Sequence, residues 1–198
     1  MILPIVAYGD PVLKQEAEEI ESDYPNLREL ISNMYETMYN ANGVGLAAPQ
    51  IGKSIRVFIV DTSPFVDGND GEKDDVFSPE EREQLRTLKK TFINPIILEE
   101  EGEKWAFSEG CLSIPGINED VFRQPDVLIE YYDENFELRE EKYSGLAARV
   151  IQHEYDHIEG ILFTDHLNPL RKQLLKKRLN EISRGKTNAK YKMKFPKR

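Results

Sequence analysis

The stretch His153-Glu154-Tyr155-Asp156-His157 places two histidines four residues apart, with a glutamate next to the first. Because an α-helix advances 3.6 residues per turn, the two imidazoles lie on one face and point toward a common position. This spacing is typical of two ligands of one metal ion, and Glu154 would lie beside the ion, where it can take a proton from water. The chain has only three histidines, so the pattern predicts a metal site rather than a chance arrangement on a helix surface.

A catalytic metal site of this kind needs a third protein ligand and one open position. The metzincin pattern would place a histidine three residues after Gly160, where this sequence has Phe163. His166 lies further along the chain, and such a histidine is more often a surface residue than a ligand. Cys111 is the better candidate, because it is flanked by glycine between predicted strands and because thiolate binds both zinc and ferrous iron.

The apolar pattern predicts helices separated by short strands. Asp23 and Pro25 indicate a helix start, apolar residues then recur at helical spacing from Leu27 to Met38, and Asn42-Gly43 indicates a stop. The other predicted elements are strands at 55–60, 92–98, 104–107, 126–132 and 136–143, a short surface helix at 79–88, a helix from Ser144-Gly145 to Gly160, and a last helix that begins at Asn168-Pro169.

A length of 198 residues favours a single domain, 1–198, and no apolar run approaches the length of a membrane span. The N-terminus lacks the basic start and long apolar core of a signal peptide, so we expect a cytoplasmic protein. Residues 61–90 interrupt the apolar pattern with an acidic run at 67–75, which predicts an acidic surface insertion.

The net charge of −10 is divided unevenly along the chain. Between Arg171 and Arg198 there are twelve Lys or Arg residues and one acidic residue, so 168–198 is predicted to form a basic helix and tail. This segment could fold back on the acidic body or lie solvated, or it could present a basic patch to an RNA-rich surface. Beyond Arg184 the composition predicts a loose tail, and the side chains expected to face the body are Leu170, Leu174, Leu175, Leu179 and Ile182.

Three motifs occur in order along the chain: GVGLAAPQ at 43–50, EGCLS at 109–113 and QHEYDH at 152–157. With these motifs the sequence resembles the peptide deformylases of the bacterial type. The resemblance covers nearly the whole chain apart from 61–90, which is longer than in compact members. Three separate motifs in the right order are specific, whereas any one of them alone would be weak evidence.

The resemblance implies a role for each motif residue. Glu154 would be the acid/base residue, while Gln50 and the backbone N–H of Leu112 would stabilise an oxyanion. The metal ligands would be Cys111, His153 and His157. The groups implied to contact the substrate or line its methionine pocket are Gly45, Phe107, Gly110, Leu146 and Val150, of which the apolar side chains could equally be ordinary core.

The implied fold is α+β, with mixed or antiparallel strands around a central metal-binding helix and a C-terminal helix. The implied activity is hydrolysis of the N-terminal formyl group of formyl-methionyl nascent peptides, with release of formate. The implied cofactor is one divalent metal ion, Fe²⁺ in the cell, with Zn²⁺, Ni²⁺ or Co²⁺ as alternatives in purified protein. The resemblance also implies a monomer that meets the ribosome through its C-terminal helix, without membrane or sequence-specific nucleic-acid binding.

Two details of the sequence bear on the site. Arg149 stands where many members of the family have an apolar residue, which raises the question of whether the methionine pocket is apolar in this chain. Glu109 and Arg123 flank the cysteine, and we expect them to pair and hold its segment in place.

Two other functions could use some of the same residues. A metallo-endopeptidase would use the same two histidines and glutamate, but Cys111 is not its expected third ligand. A non-catalytic Cys/His module would normally close its metal with four protein ligands, and the chain has no second cysteine.

Overall fold

The computed structural model describes residues 1–67 and 77–197. Within these residues the chain forms four α-helices and nine strands, joined in part by short 3-10 helices. None of the helices in this part of the chain combines the length and the apolar character that a membrane span requires. The helices are α1 (Leu27–Asn40), α2 (Pro79–Thr87), α3 (Gly145–Ile158) and α4 (Pro169–Ser183). The strands are β1 (Ile5–Val6), β2 (Gly45–Ala47), β3 (Val57–Asp61), β4 (Lys89–Glu101), β5 (Trp105–Cys111), β6 (Ile114–Arg123), β7 (Asp126–Tyr132), β8 (Leu138–Ser144) and β9 (Met193–Lys194).

The main sheet has five antiparallel strands in the order β2-β3-β4-β7-β8. Strands β5 and β6 form a separate antiparallel hairpin, and β1 pairs in parallel with β9. The predicted α+β class, with mixed and antiparallel strands and a C-terminal helix, is therefore confirmed.

Helix α3 is the element around which the sheets are arranged. It packs against β2, β3, β7, β8 and α2. Apolar residues such as Ala147 and Ile151 fill its inner face, and Gly160 follows with φ +70°, a conformation that glycine adopts without strain. A Cβ at Gly160 would lie 2.8 Å from the backbone of Lys14, so the N-terminal segment can pack closely on the helix end.

The predicted start of α1 at Asp23 and Pro25 is wrong. The chain first makes a turn in which the N–H of Tyr24 donates to the carbonyl of Glu21. Asn26 then takes a left-handed conformation with φ 56°, which cannot continue a right-handed helix, and α1 begins only at Leu27.

The prediction that Cys111 lies between strands was also wrong, because β6 was not foreseen and β5 extends further than the predicted strand at 104–107. Cys111 is the last residue of β5 and pairs with Ile114, so only the two-residue turn Leu112-Ser113 separates the strands. Gly116 and the acidic residues that follow are poor strand formers, and they obscured the buried positions Ile117 and Val121.

The C-terminal segment differs from its prediction in two ways. Leu170 and Leu174 are 66% and 61% exposed, because only the second half of α4 buries its apolar side chains, Leu179 and Ile182, against the body. Beyond α4 the chain is not loose. It returns to the N-terminus as β9, where the N–H groups of Ile5 and Ala7 donate to carbonyls of the tail.

The segment 61–90 is partly integrated into the core. Most of the acidic run at 67–75 lies outside the described residues. Helix α2 begins at the predicted capping box, in which the Ser78 hydroxyl accepts from the N–H of Glu81 and the Glu81 carboxylate accepts from the N–H of Ser78. Leu85 of α2 is 2% exposed, so this helix has a buried side as well as a surface.

Asn94 connects the main sheet to the N-terminal segment. Its side-chain oxygen accepts from the N–H of Ile20 at 3.0 Å, and its side-chain nitrogen donates to the carbonyl of Ile20 at 2.8 Å. Its φ of 47° lies in the left-handed region, next to an irregularity in the pairing of β4 with β7.

The substitution Asn94→Ala should lower the free energy of unfolding by about 2–3 kcal/mol, since it removes both hydrogen bonds and places a Cβ residue in a left-handed conformation without a compensating side-chain bond. Asn94→Gly should lower the free energy of unfolding by about 1 kcal/mol less than Asn94→Ala does, because glycine adopts this conformation without strain. Urea denaturation of both variants measures the difference. Equal stability of the two variants would show that the backbone conformation carries no strain.

Candidate metal centre and adjoining cleft

The three ligands implied by the sequence meet at one point. Helix α3 supplies His153 and His157, and the end of β5 supplies Cys111. One ligand atom of each residue lies within 4.8 Å of the other two. The Cys111 sulfur is 3.3 Å from Nε2 of His157, and the two imidazole rings have centroids 5.2 Å apart. The third histidine, His166, does not join them but binds the Asp156 carboxylate at 2.8 Å.

A buried carboxylate orients the first histidine. Glu109 is 6% exposed, and its Oε2 lies 2.9 Å from Nδ1 of His153. This contact directs the other ring nitrogen, Nε2, toward the cluster, which is the arrangement that fixes the tautomer of a ligand histidine. Arg123 donates to both oxygens of Glu109, at 2.7 and 3.0 Å, so the expected pairing of these two residues is present.

Arg149 is a second guanidinium in the same network. It is 2% exposed and donates to Glu109 Oε1 at 2.6 Å and to the carbonyls of Val121 and Trp105. Its guanidinium also stacks 4.2 Å from the centre of the Trp105 ring. The charge at this position is thus directed at Glu109 and the β5–β6 hairpin, which explains how an arginine can replace an apolar residue here.

The charges of the network follow from these contacts. Burial raises the pKa of Glu109, but hydrogen bonds from His153 and Arg123 outweigh it and hold the pKa well below its ordinary value. Burial lowers the pKa of His153, but its contacts with Cys111 and Glu109 raise it well above the ordinary value. Burial lowers the pKa of His157, so that ring is neutral. Binding of a metal at His153 would therefore release a proton.

The donor set fits a divalent transition metal. It combines one sulfur and two imidazole nitrogens, and Cys111 and His153 line an open cleft. Three protein ligands beside a cleft are typical of a metal that also binds water or a substrate oxygen. Nδ1 of His157 has no hydrogen-bond partner among the described residues, and its Nε2 faces Cys111. The chain thus provides three ligands at one point, and a carboxylate lies beside them.

That carboxylate is Glu154, which is 4% exposed. Burial raises the pKa of Glu154 to about 7, so near neutral pH it can both take and return a proton. Its Oε2 has no hydrogen-bond partner in the part of the chain that the structure describes. The side chain packs directly on the backbone of Gly45: a Cβ there would lie 2.7 Å from Cδ and 2.8 Å from Cγ of Glu154. Gly45 is therefore required to leave room for the carboxylate.

Gln50 contacts the cluster through its side-chain amide. Its amide oxygen accepts from the N–H of Ala47 at 2.9 Å, which turns its nitrogen toward Cys111 and Ser113, at 3.4 and 3.3 Å. Leu112 follows Cys111 in the β5–β6 turn and lines the same cleft. The amide group of Gln50 is thus oriented as a donor toward the cysteine, which is where an oxyanion donor would be needed.

A cleft of about 820 Å³ opens beside the cluster. All five residues implied to contact the substrate line it, namely Gly45, Phe107, Gly110, Leu146 and Val150. Arg149, whose charge bore on the expected polarity of the pocket, also lines it. The C-terminal segment from Thr187 to Tyr191 lines it as well, which was not expected from the sequence. The alternation of Tyr191, Met193 and Phe195 with lysines was a strand signal that could have indicated an ordered tail.

Comparison with known proteins gives the same assignment as the three motifs. The family model for polypeptide deformylase matches residues 2–173. The chain is 64% identical to the peptide deformylase of Christiangramia forsetii over 99% of this chain and 97% of that protein. It is 61% identical to that of Flavobacterium psychrophilum, over 98% and 97% of the two chains.

The fold leads to the same family. The crystal structure of a peptide deformylase from Legionella pneumophila superposes with a TM-score of 0.76 at 34% identity, covering 95% of this chain and 99% of that one. Since the family model and the relatives match nearly the whole sequence, the chain belongs to the polypeptide deformylase family.

Proposed function

We propose that the cluster on α3 and β5 is where this chain carries out the reaction of its family, the hydrolytic removal of the N-terminal formyl group from nascent peptides. The observation that carries the proposal is the position of Glu154. This buried carboxylate lies at the wall of the cleft, next to three converging ligands and against the bare backbone of Gly45.

The family is metal-dependent, and Cys111, His153 and His157 would hold the ion. When bound there, a divalent metal supplies a Lewis acid that lowers the pKa of water and polarises a carbonyl oxygen. We infer that the ion in the cell is Fe²⁺, because a thiolate adds negative charge and softness to the site, and that Zn²⁺, Ni²⁺ or Co²⁺ can replace it in purified protein.

The residues of this chain would divide the remaining work. Glu154 takes the proton of the attacking water, whose oxygen forms a bond to the formyl carbon. The amide nitrogen of Gln50 and the backbone N–H of Leu112 donate to the oxyanion that develops. Glu154 then gives its proton to the leaving amine as the C–N bond breaks, which yields formate and a free N-terminal methionine.

The cleft would bind the methionine side chain. Phe107, Leu146 and Val150 provide apolar surface, and Gly45 and Gly110 place bare backbone in the same wall. Arg149 does not make this wall a charged one, because its guanidinium is engaged by Glu109 and by two backbone carbonyls.

We infer a single catalytic domain over 1–198, a monomer and a cytoplasmic location, in keeping with substrates that are nascent chains. We propose that α4 binds the ribosome. The first half of this helix exposes the apolar side chains of Leu170 and Leu174. The basic side chains of Lys172 and Lys176 are exposed beside them.

The proposed chemistry is tested by Glu154→Gln, which keeps the shape of the side chain but cannot take a proton. Formate release from a formyl-methionyl peptide should fall at least about 100-fold, because general acid–base catalysis typically contributes that much or more. The protein should be purified without oxygen, and metal content should be measured for each preparation.

The matched control is Glu140→Gln, an exposed glutamate of β8, which should leave the rate unchanged. No formate from the metal-loaded wild type would refute the proposed function. Cleavage of an unformylated, blocked peptide would instead support an endopeptidase.

Arg123→Ala should weaken metal binding about 10- to 100-fold, because it removes two of the hydrogen bonds that hold Glu109 against His153 and leaves only the one from Arg149. Arg123→Lys should give a smaller loss, since it keeps the charge without the paired donors. Competition with a chelator measures the affinity, and Arg139→Ala, a surface arginine of β8, is the control. An unchanged affinity in Arg123→Ala would show that Glu109 does not need Arg123 to orient the ligand.

The double variant Lys172→Glu and Lys176→Glu should weaken ribosome binding and reduce its dependence on salt, while turnover of a small formylated peptide stays unchanged. The control for net charge is the double variant Lys53→Glu and Lys104→Glu, which reverses the charge of two exposed lysines elsewhere. Co-sedimentation with ribosomes at several salt concentrations makes the comparison. Equal ribosome binding by the two double variants would show that α4 is not the docking element.

A further inference from the structure

The two-residue turn between β5 and β6 directly follows a proposed metal ligand and carries a proposed oxyanion donor. Cys111 ends β5, and the backbone N–H of Leu112 follows it directly. A displacement of this turn by a fraction of an ångström would therefore move both groups relative to the substrate, and catalysis is sensitive to such displacements. The contacts that fix this turn therefore also fix the positions of Cys111 and of the Leu112 N–H.

The structure shows three contacts that hold it. The hydroxyl of Tyr191 donates to the Leu112 carbonyl at 2.7 Å. The N–H of Tyr8 donates to the Ser113 carbonyl at 2.9 Å, and the Ser113 hydroxyl accepts from Gln50 at 3.3 Å. Both carbonyls of the turn thus have a donor from outside the hairpin.

The two tyrosines belong to one unit formed by the chain termini. Strand β1 precedes Tyr8, and strand β9 follows Tyr191. Hydrogen bonds from Ile5 to Lys192 and from Ala7 to Lys194, at 2.9 and 2.8 Å, join the two segments. The segment from Thr187 to Tyr191 then forms one side of the cleft.

We propose that Tyr191 is a positioning residue for deformylation: its hydroxyl fixes the Leu112 carbonyl and thereby the Cys111–Leu112 peptide, whose N–H faces the developing oxyanion. This inference rests on the proposed function. It concerns a residue beyond the stretch that the family model matches, which ends at residue 173.

A role in positioning is distinct from a role in stability. Tyr191 is half-buried at the wall of an open cleft, so water can replace its hydroxyl as a donor to Leu112. Loss of the hydroxyl should then cost little folding stability. It should still loosen the turn, because a mobile water does not fix a carbonyl as a tyrosine anchored by β9 does.

The test is Tyr191→Phe in the full-length, metal-loaded protein, with formate release from a formyl-methionyl tripeptide as the readout. We expect kcat per bound metal to fall about fivefold, the size of effect expected for one hydrogen bond, while KM stays within about twofold. Amide hydrogen exchange in the peptide that covers 109–116 should become faster.

Tyr132→Phe is the matched control, since the Tyr132 ring packs on Phe136 and its hydroxyl makes no hydrogen bond to the described residues. This variant should keep kcat, KM and the exchange pattern. A kcat for Tyr191→Phe within twofold of wild type overturns the inference. So does a fall in kcat that comes with an equal rise in KM and a lower melting temperature, because that result indicates a structural role. A wild type that releases no formate refutes the proposed function, and this inference with it.

Discussion

The site depends on one buried carboxylate. Glu109 is removed from water and contacts two guanidinium groups and an imidazole, so it stays ionised in the interior. Burying such a cluster costs desolvation energy that its ion pairs offset only in part, and buried pairs of this kind often add little to folding stability. We attribute its presence to orientation instead. With Arg123 and Arg149 holding it, Glu109 presents a fixed acceptor to His153, and the ring can aim its other nitrogen at the metal position.

Two elements of different type meet at that position, and each needs a particular neighbour. Helix α3 brings His153, Glu154 and His157 in one rigid piece, but the glutamate can be accommodated only because Gly45 has no side chain. The β5–β6 hairpin brings Cys111, which is held by a tight turn rather than by a flexible loop. The glycine-rich motif at 43–50 and the cysteine motif at 109–113 are thus linked through packing on the same helix.

Much of this could be predicted from the sequence, and the failures have physical causes. The proposed ligands His153 and His157, with Glu154 beside them, followed from spacing, because a helix fixes the geometry of residues four apart. Cys111 was proposed from its sequence neighbours and from the resemblance, and the limits of α3 from its capping residues. The Glu109–Arg123 pair was expected, whereas the contact of Arg149 with Glu109 was not, since no local pattern connects residues forty positions apart. Strand β6 was missed because its glycine and acidic residues disfavour strands, whereas its pairing with β5 and its packing against Phe163 and Leu179 stabilise it.

The basic composition of the C-terminal tail allowed two interpretations that do not exclude each other. Its charge suggested either a segment folded on the acidic body or a basic surface for RNA, and these were treated as alternatives. In the structure Tyr191, Met193 and Phe195 are half-buried while the lysines between them are exposed. A strand presents alternate residues to opposite faces, so one face can anchor the termini and support the β5–β6 turn while the other displays positive charge. Basic character in this segment therefore says nothing against a structural role, and order in it says nothing against an RNA-facing surface.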